Sequence, residues 1–319
     1  MDSNKVISKK INTLLWSGCS LSFGSGIVNE WGNLGNRVLE KRHDMPDSLN
    51  SGEIDNSVPV YWTTEKFKKK FPEIKTQQEA MDFVKELSYP MQVGKNLGIE
   101  NTYNLSIPGR GVESQLRVVS SFIINNQDKI DFTKCVFCYQ IPSLARVELL
   151  DVKKDKEWIY YFTEKRDTYR FSTFYNPIKN PKDNTNFIEN HFDFDYYIAK
   201  YLMYICEYRG FLESKGITFL PYILTEAEDG VGDYFDYEKG DSFMVDNMLN
   251  FNDHKWTHEK VKFPTVKKLL KELDIWKVPF SQDDKTFKYW GYYDDGHFSP
   301  EGHELIGKIF SDYLEEKIN

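Results

Sequence analysis

Two stretches near opposite ends of the chain carry the residue types of acyl-transfer chemistry. The first is Gly18-Cys19-Ser20-Leu21-Ser22-Phe23-Gly24, directly after the apolar run 11–16. A serine in a tight turn between a strand and a helix sits near the helix N-terminus, where free N–H groups and the dipole favour developing negative charge. The Gly-Lys-Ser/Thr ending of a phosphate-binding loop is absent. The second stretch is Asp294-Asp295-Gly296-His297-Phe298-Ser299-Pro300-Glu301-Gly302-His303. An aspartate three residues before a histidine can accept a hydrogen bond from one imidazole nitrogen, leaving the other to take a serine proton. Asp294 and His297 fit those roles, whereas His303, in the first turn of the following helix, is expected to pack or cap. A third segment, Asn104-Leu105-Ser106-Ile107-Pro108-Gly109, puts Gly109 where its N–H can point at an oxyanion. Taken singly, each also reads as an ordinary feature: a Gly/Ser turn, a polar loop with a cap, a strand-to-helix turn.

These residues need elements to position them, and the periodicity supplies candidates. Strands are expected over 11–16, 102–107, 135–141 and 217–224. Helices are expected over 27–40, 77–87, 112–125, 194–214, 266–273 and from Ser299-Pro300 to the chain end. Gly216 is well placed to stop the helix before it, and Ser299 to cap the last one. Residues 158–162 read as an additional strand or part of an insertion, 164–190 as loop, and 225–265 as loop-rich and acidic. Residues 41–73, with Pro46, Pro59 and Pro72, read as an irregular insertion whose basic patch, Lys66, Lys68, Lys69 and Lys70, is a solvated face. Apolar strands alternating with helices imply an α/β fold with a mainly parallel sheet covered on both faces and reactive groups at strand carboxyl ends. No linker or repeat divides the chain, so the expectation is one domain, 1–319, with insertions at about 41–75, 151–192 and 225–262.

Composition narrows the classes of function. A net charge of −8 argues against a protein built to neutralise nucleic-acid phosphates or anionic lipid. With 40% hydrophobic and 16% aromatic residues, the chain is too apolar for disorder. No apolar run reaches the roughly 18 residues of a membrane span. The patch Leu14-Leu15-Trp16 is too short for a signal-peptide core, so a cytoplasmic location is expected. The 4 cysteines do not make a disulfide framework. Cys135 and Cys138 lie three apart in a strand, hence on opposite faces, and are expected in the core. His254 and His258, with Asp253 nearby, lack a third ligand of convincing spacing, so neither metal nor other cofactor is expected. The aromatic, acidic loops 164–190 and 229–241 are candidates for one wall of a substrate cleft.

Together, 18–26, 104–109 and 294–303 resemble the SGNH (GDSL-like) hydrolase family. The resemblance is closer to its phage-type branch, whose opening reads Gly-Cys-Ser instead of Gly-Asp-Ser. It implies a flavodoxin-like three-layer α/β/α sandwich, with Ser20 as nucleophile, His297 as general base and Asp294 as orienting acid. The N–H groups of Ser20 and Gly109 would form the oxyanion hole. Two departures stand out. Cys19 replaces the first-block Asp, where a small thiol can simply pack. The third-block Asn has no counterpart in Tyr139-Gln140-Ile141-Pro142-Ser143-Leu144-Ala145-Arg146-Val147-Glu148; Gln140 or Ser143 is the candidate substitute donor. Arg146 is a candidate to hold an anionic substrate group or to pair with Glu148. The expected activity is ester hydrolysis on a small-molecule or carbohydrate substrate, an O-acyl sugar among them, with no nucleic-acid or membrane partner. The resemblance also suggests a phage-encoded protein, in the host cytoplasm or virion. Two alternatives stay open: a catalytically degenerate scaffold that binds or builds, and an O-acyltransferase using the same nucleophile.

Overall fold

A computed structural model describes residues 11–19, 22, 24, 65–107, 111–142, 146–151, 156–163, 170–173, 194–224, 266–279 and 298–318. Its strands are β1 (Thr13–Ser17), β2 (Asn101–Asn104), β3 (Cys135–Gln140), β4 (Arg146–Asp151), β5 (Lys156–Thr163), β6 (Arg170–Thr173), β7 (Thr218–Ile223) and β8 (Trp276–Lys277). The helices are α1 (Glu65–Lys70), α2 (Gln77–Leu87), α3 (Tyr89–Asn96), α4 (Val112–Asn126), α5 (Phe194–Ser214), α6 (Val266–Leu273) and α7 (Pro300–Ile318).

A 5-stranded sheet of order β2-β1-β3-β7-β8 forms the centre, and every pair in it is parallel. Every residue of β1 and β3 is buried. That is why these strands read as continuous apolar runs instead of alternating ones, as strands covered on both faces do. In register, Trp16 lies opposite Asn104 on one side and Cys138 on the other.

The pleat sorts the side chains of these strands to two cores. Leu15, Phe137 and Tyr139 pack with Val119 and Ile123 of α4, Tyr201 and Ile205 of α5, and Leu270 of α6. Leu14, Trp16, Val136 and Cys138 pack with Tyr89 and Val93 of α3, and Ile306 and Phe310 of α7. The result is three layers, helix–sheet–helix, with the strand order of the flavodoxin-like doubly wound fold. Because β1 lies between β2 and β3, successive connections run to opposite sides of it. The crevice between the carboxyl ends of β1 and β3 is the topological switch point, where ligands bind in such sheets.

Cys135 and Cys138 fall in the two different cores, as strand geometry requires. Burial pushes the Cys135 thiol up to about 12 and the Cys138 thiol well above its usual range, so both sit in the cores as protonated thiols. No cluster of metal-ligating side chains occurs among the described residues. Likewise, no described helix is long and apolar enough to cross a membrane.

Local chemistry sets the ends of the helices. Gly216 takes a left-handed φ of 77° after α5. The N–H groups of Gly216 and Ile217 then close onto the carbonyls of Glu213 (2.9 Å) and Leu212 (3.1 Å), the Schellman arrangement. Ser299 caps α7, its Oγ accepting from the Gly302 N–H at 3.1 Å.

One open expectation is decided and two change. Residues 158–162 belong to β5, the middle strand of a separate antiparallel sheet β4-β5-β6. The stretch expected as loop contains β6, only four residues long and held by pairing Phe171 with Phe162 and Arg170 with Thr163. Such a short strand has too few positions for a period to show, and its partner strand supplies the order. The expected irregular insertion contains α1, with Lys68, Lys69 and Lys70 in its last turn, where cations suit the helix dipole. Those three lysines are exposed, as a solvated face should be. Residues 27–40, 225–265 (with Asp253, His254 and His258) and 174–190 lie outside the described residues.

Candidate active site

The carboxyl ends of β1, β2 and β3 converge at the switch point, and buried polar side chains tie them together. The backbone of β1 runs on from Ser17 through Gly18 and Cys19 against the end of β3. A Cβ on Gly18 would lie 2.5 Å from Ser22 Oγ, 2.6 Å from Gln140 Cβ and 2.7 Å from Gln140 Oε1. Only glycine allows the turn to approach β3 so closely.

Gln140, fully buried at the last position of β3, uses both ends of its carboxamide on that turn. Its Nε2 donates to Cys19 Sγ at 3.1 Å, and its Oε1 accepts from Ser22 Oγ in a short hydrogen bond. Ser22 Oγ also lies 2.5 Å from Tyr89 Oη and 3.1 Å from Tyr222 Oη. The two phenols are 2.7 Å apart.

Each hydroxyl has one proton to give. Ser22 gives its proton to Gln140, so the 2.5 Å contact takes its proton from Tyr89. Tyr222 then donates to Tyr89. The donors therefore run in one direction, Tyr222 to Tyr89 to Ser22 to Gln140. Burial holds the Tyr222 phenol well above its ordinary pKa, which keeps it protonated as the head of this chain.

Asn104 ties in the third strand. Buried at the end of β2, its Nδ2 donates to the Ser22 carbonyl at 2.9 Å and to Ser88 Oγ at 3.0 Å, while Oδ1 accepts from the Ser106 N–H at 3.1 Å. One carboxamide thus joins the turns after β1 and β2 to the start of α3. Beyond the strands, the Leu105 N–H bonds the Trp16 carbonyl at 2.8 Å and the Ile107 N–H bonds the Gly18 carbonyl at 3.2 Å. The backbone two residues before Gly109 is therefore bonded to the backbone two residues before Ser20.

The start of α7 reaches the same place from the far end of the chain. His303 is buried, and its Nδ1 accepts from the Tyr89 backbone N–H at 3.2 Å. This satisfies an N–H of the first turn of α3, where Ser88 makes no side-chain cap. The His303 ring stacks on Tyr89 (5.6 Å between centroids, 19°), and Phe298 meets it edge-on at 5.8 Å. His303 packs and caps, as its place in the sequence suggested. Cys19 and Phe298, the neighbours of Ser20 and His297, belong to one buried cluster on the α3/α7 side of the sheet.

Ser20, Gly109, Ser143, Asp294 and His297 lie outside the described residues, as does the side chain of Arg146, which opens β4. Cys19 packs, its thiol buried against Gln140. Ser22, Tyr89, Tyr222 and the Asn104 side chain were not singled out from sequence. Ser22 sits in the same Gly/Ser turn as Ser20, and Asn104 heads the second block, so both carried a local signal. Tyr89 and Tyr222 carried none: each is an aromatic residue in an apolar segment, with a hydroxyl that only tertiary packing aims at the turn.

No family model matches the chain, and no curated protein matches it. Among solved structures, it is similar to one from work on a carbohydrate esterase whose active site displays divergent catalytic and non-catalytic binding functions. That likeness covers 96% of this chain and 69% of the other, with a TM-score of 0.37 and 10% sequence identity.

Proposed function

We propose that the protein is a serine hydrolase of the SGNH type that cleaves an ester through Ser20, His297 and Asp294. His297 takes the Ser20 proton as Oγ attacks the ester carbonyl, while the Asp294 carboxylate accepts from the other imidazole N–H and holds the tautomer. The N–H groups of Ser20 and Gly109 receive the tetrahedral oxyanion. Collapse breaks the C–O bond to the alcohol, which leaves with the proton held by His297. Water, deprotonated by the same imidazole, then attacks the acyl-enzyme and releases the acid.

One observation carries the reading. The described neighbours of the two reacting groups, Cys19 and Phe298, come from opposite ends of the chain into one buried cluster on the α3/α7 face of a doubly wound sheet. The bond from Ile107 to Gly18 supports Gly109 as a donor in the same way. The described parts of the first two blocks are hydrogen-bonded to each other, and Phe298, from the described end of the third, shares a buried cluster with Cys19, which supports the reading. O-acylated carbohydrates are the first substrates to assay.

The test is covalent. A fluorophosphonate loses fluoride to an activated serine, and it should label the wild-type protein but not Ser20→Ala. Hydrolysis of short p-nitrophenyl esters should fall by on the order of 10⁴-fold in that variant, with the urea midpoint unchanged. Equal labelling of both proteins removes Ser20 from the mechanism. A wild-type protein that never labels points to a scaffold that binds without reacting.

A further inference from the structure

We infer that Ser22 and Gln140 are positioning residues that lock the nucleophile turn through the buried donor chain from Tyr222 and Tyr89, an inference that rests on Ser20 being the nucleophile. Ser22 follows Ser20 by two residues. Its carbonyl is held by Asn104 and its hydroxyl by Gln140, with Tyr89 and Tyr222 behind it. Cys19 precedes Ser20 directly, and its sulfur accepts from the other end of the same Gln140 carboxamide. Gln140 therefore grips the turn on both sides of the nucleophile. The absent side chain at Gly18 is what lets it come that near.

The grip has a rigid base. Gln140 ends a strand whose residues are all buried, and Tyr89 is held at its backbone by His303 and at its ring by the His303 and Phe310 stacks. Every bond in the chain is buried, so water does not compete for it, and each member can hold the next in one geometry. An attacking oxygen needs that kind of support. A displacement of about 1 Å in a reacting group can cost roughly 100-fold in rate.

Such a role differs from direct donation to the oxyanion, because Ser22 acts only through the turn. It also differs from simple stabilisation, because it sets the rate per folded molecule. The experiment measures the rate and the endpoint of fluorophosphonate labelling, together with kcat and KM for a p-nitrophenyl ester, in wild type, Ser22→Ala, Gln140→Leu, Tyr89→Phe and Ser22→Ala/Gln140→Leu. Ser22→Ala and Gln140→Leu should each slow labelling and lower kcat by roughly 10- to 100-fold, with KM within about twofold and the labelling endpoint unchanged. The double variant should be no slower than the slower single one, because both remove the same grip. Tyr89→Phe, which keeps the ring stack and loses the hydroxyl that donates to Ser22 and accepts from Tyr222, should slow labelling by about threefold or more.

If Gln140→Leu does not fold, Ser22→Ala and Tyr89→Phe decide the matter. Wild-type labelling rates in Ser22→Ala overturn the inference and leave the Ser20 mechanism standing. So does a drop in endpoint at unchanged rate, which marks partial unfolding, and so do single effects that multiply in the double variant. A wild-type protein that does not label at all removes the Ser20 reading, and the positioning role falls with it.

Discussion

Gly18 shows how a single missing carbon can set a site. With any side chain, β1 would have to draw away from β3, because the added Cβ would lie within 2.7 Å of both Ser22 and Gln140. Gly18→Ala should destabilise the fold by about 1–3 kcal/mol, the usual cost of forcing extra volume into a packed interior. Urea denaturation should show this as a lower midpoint at an unchanged slope, and ester hydrolysis should fall by more than the folded fraction does. Part of this residue-scale picture is legible in the sequence. A glycine in the first turn and a polar glutamine ending an apolar strand are both anomalies that stand out locally. The partners of Gln140 were not legible, since Ser22 is 118 residues away and nothing in either segment names the other.

Helix ends decide how the elements meet. The Ser299 cap, followed by Pro300, starts α7 in the register that brings His303 under α3 and Phe298 over His303. Ser299→Ala should cost about 1 kcal/mol in urea denaturation, the ordinary loss for a serine cap. The cap, the Gly216 stop and the bounds of α6 could be read locally, because capping depends on residues within one turn of the helix end. The helix α3 could not. It is eight residues long, with Pro90 in its first turn and no side-chain cap from Ser88. Its first turn is completed instead by His303, 214 residues away. Similarly, β6 owes its existence to β5, and α1 hides in a proline-dotted stretch that propensity alone does not resolve.

Across the whole molecule, the α3/α7 core closes the chain on itself. The ring of Phe310, near the C-terminal end, lies 5.1 Å from Trp16, 5.5 Å from Tyr89, 4.7 Å from Tyr222 and 4.7 Å from Trp276. It therefore joins α7 to β1, α3, β7 and β8 at one point. Phe310→Ala should lower stability by about 3–5 kcal/mol in urea denaturation, the range for emptying a buried aromatic site. By its amino acids alone, this protein was determined to be an α/β chain with all-buried central strands, because burial on both faces writes itself as unbroken apolar runs. The segments bearing Ser20, Asp294 and His297 stand out as candidates in the sequence because each is local, while those three residues lie outside the described part of the structure. Only the tertiary structure decided the strand order, the switch point between β1 and β3, and the buried donor chain behind the first turn. Those depend on contacts between residues far apart in sequence, set by how apolar faces pack and how buried polar groups find partners, and no single segment encodes them.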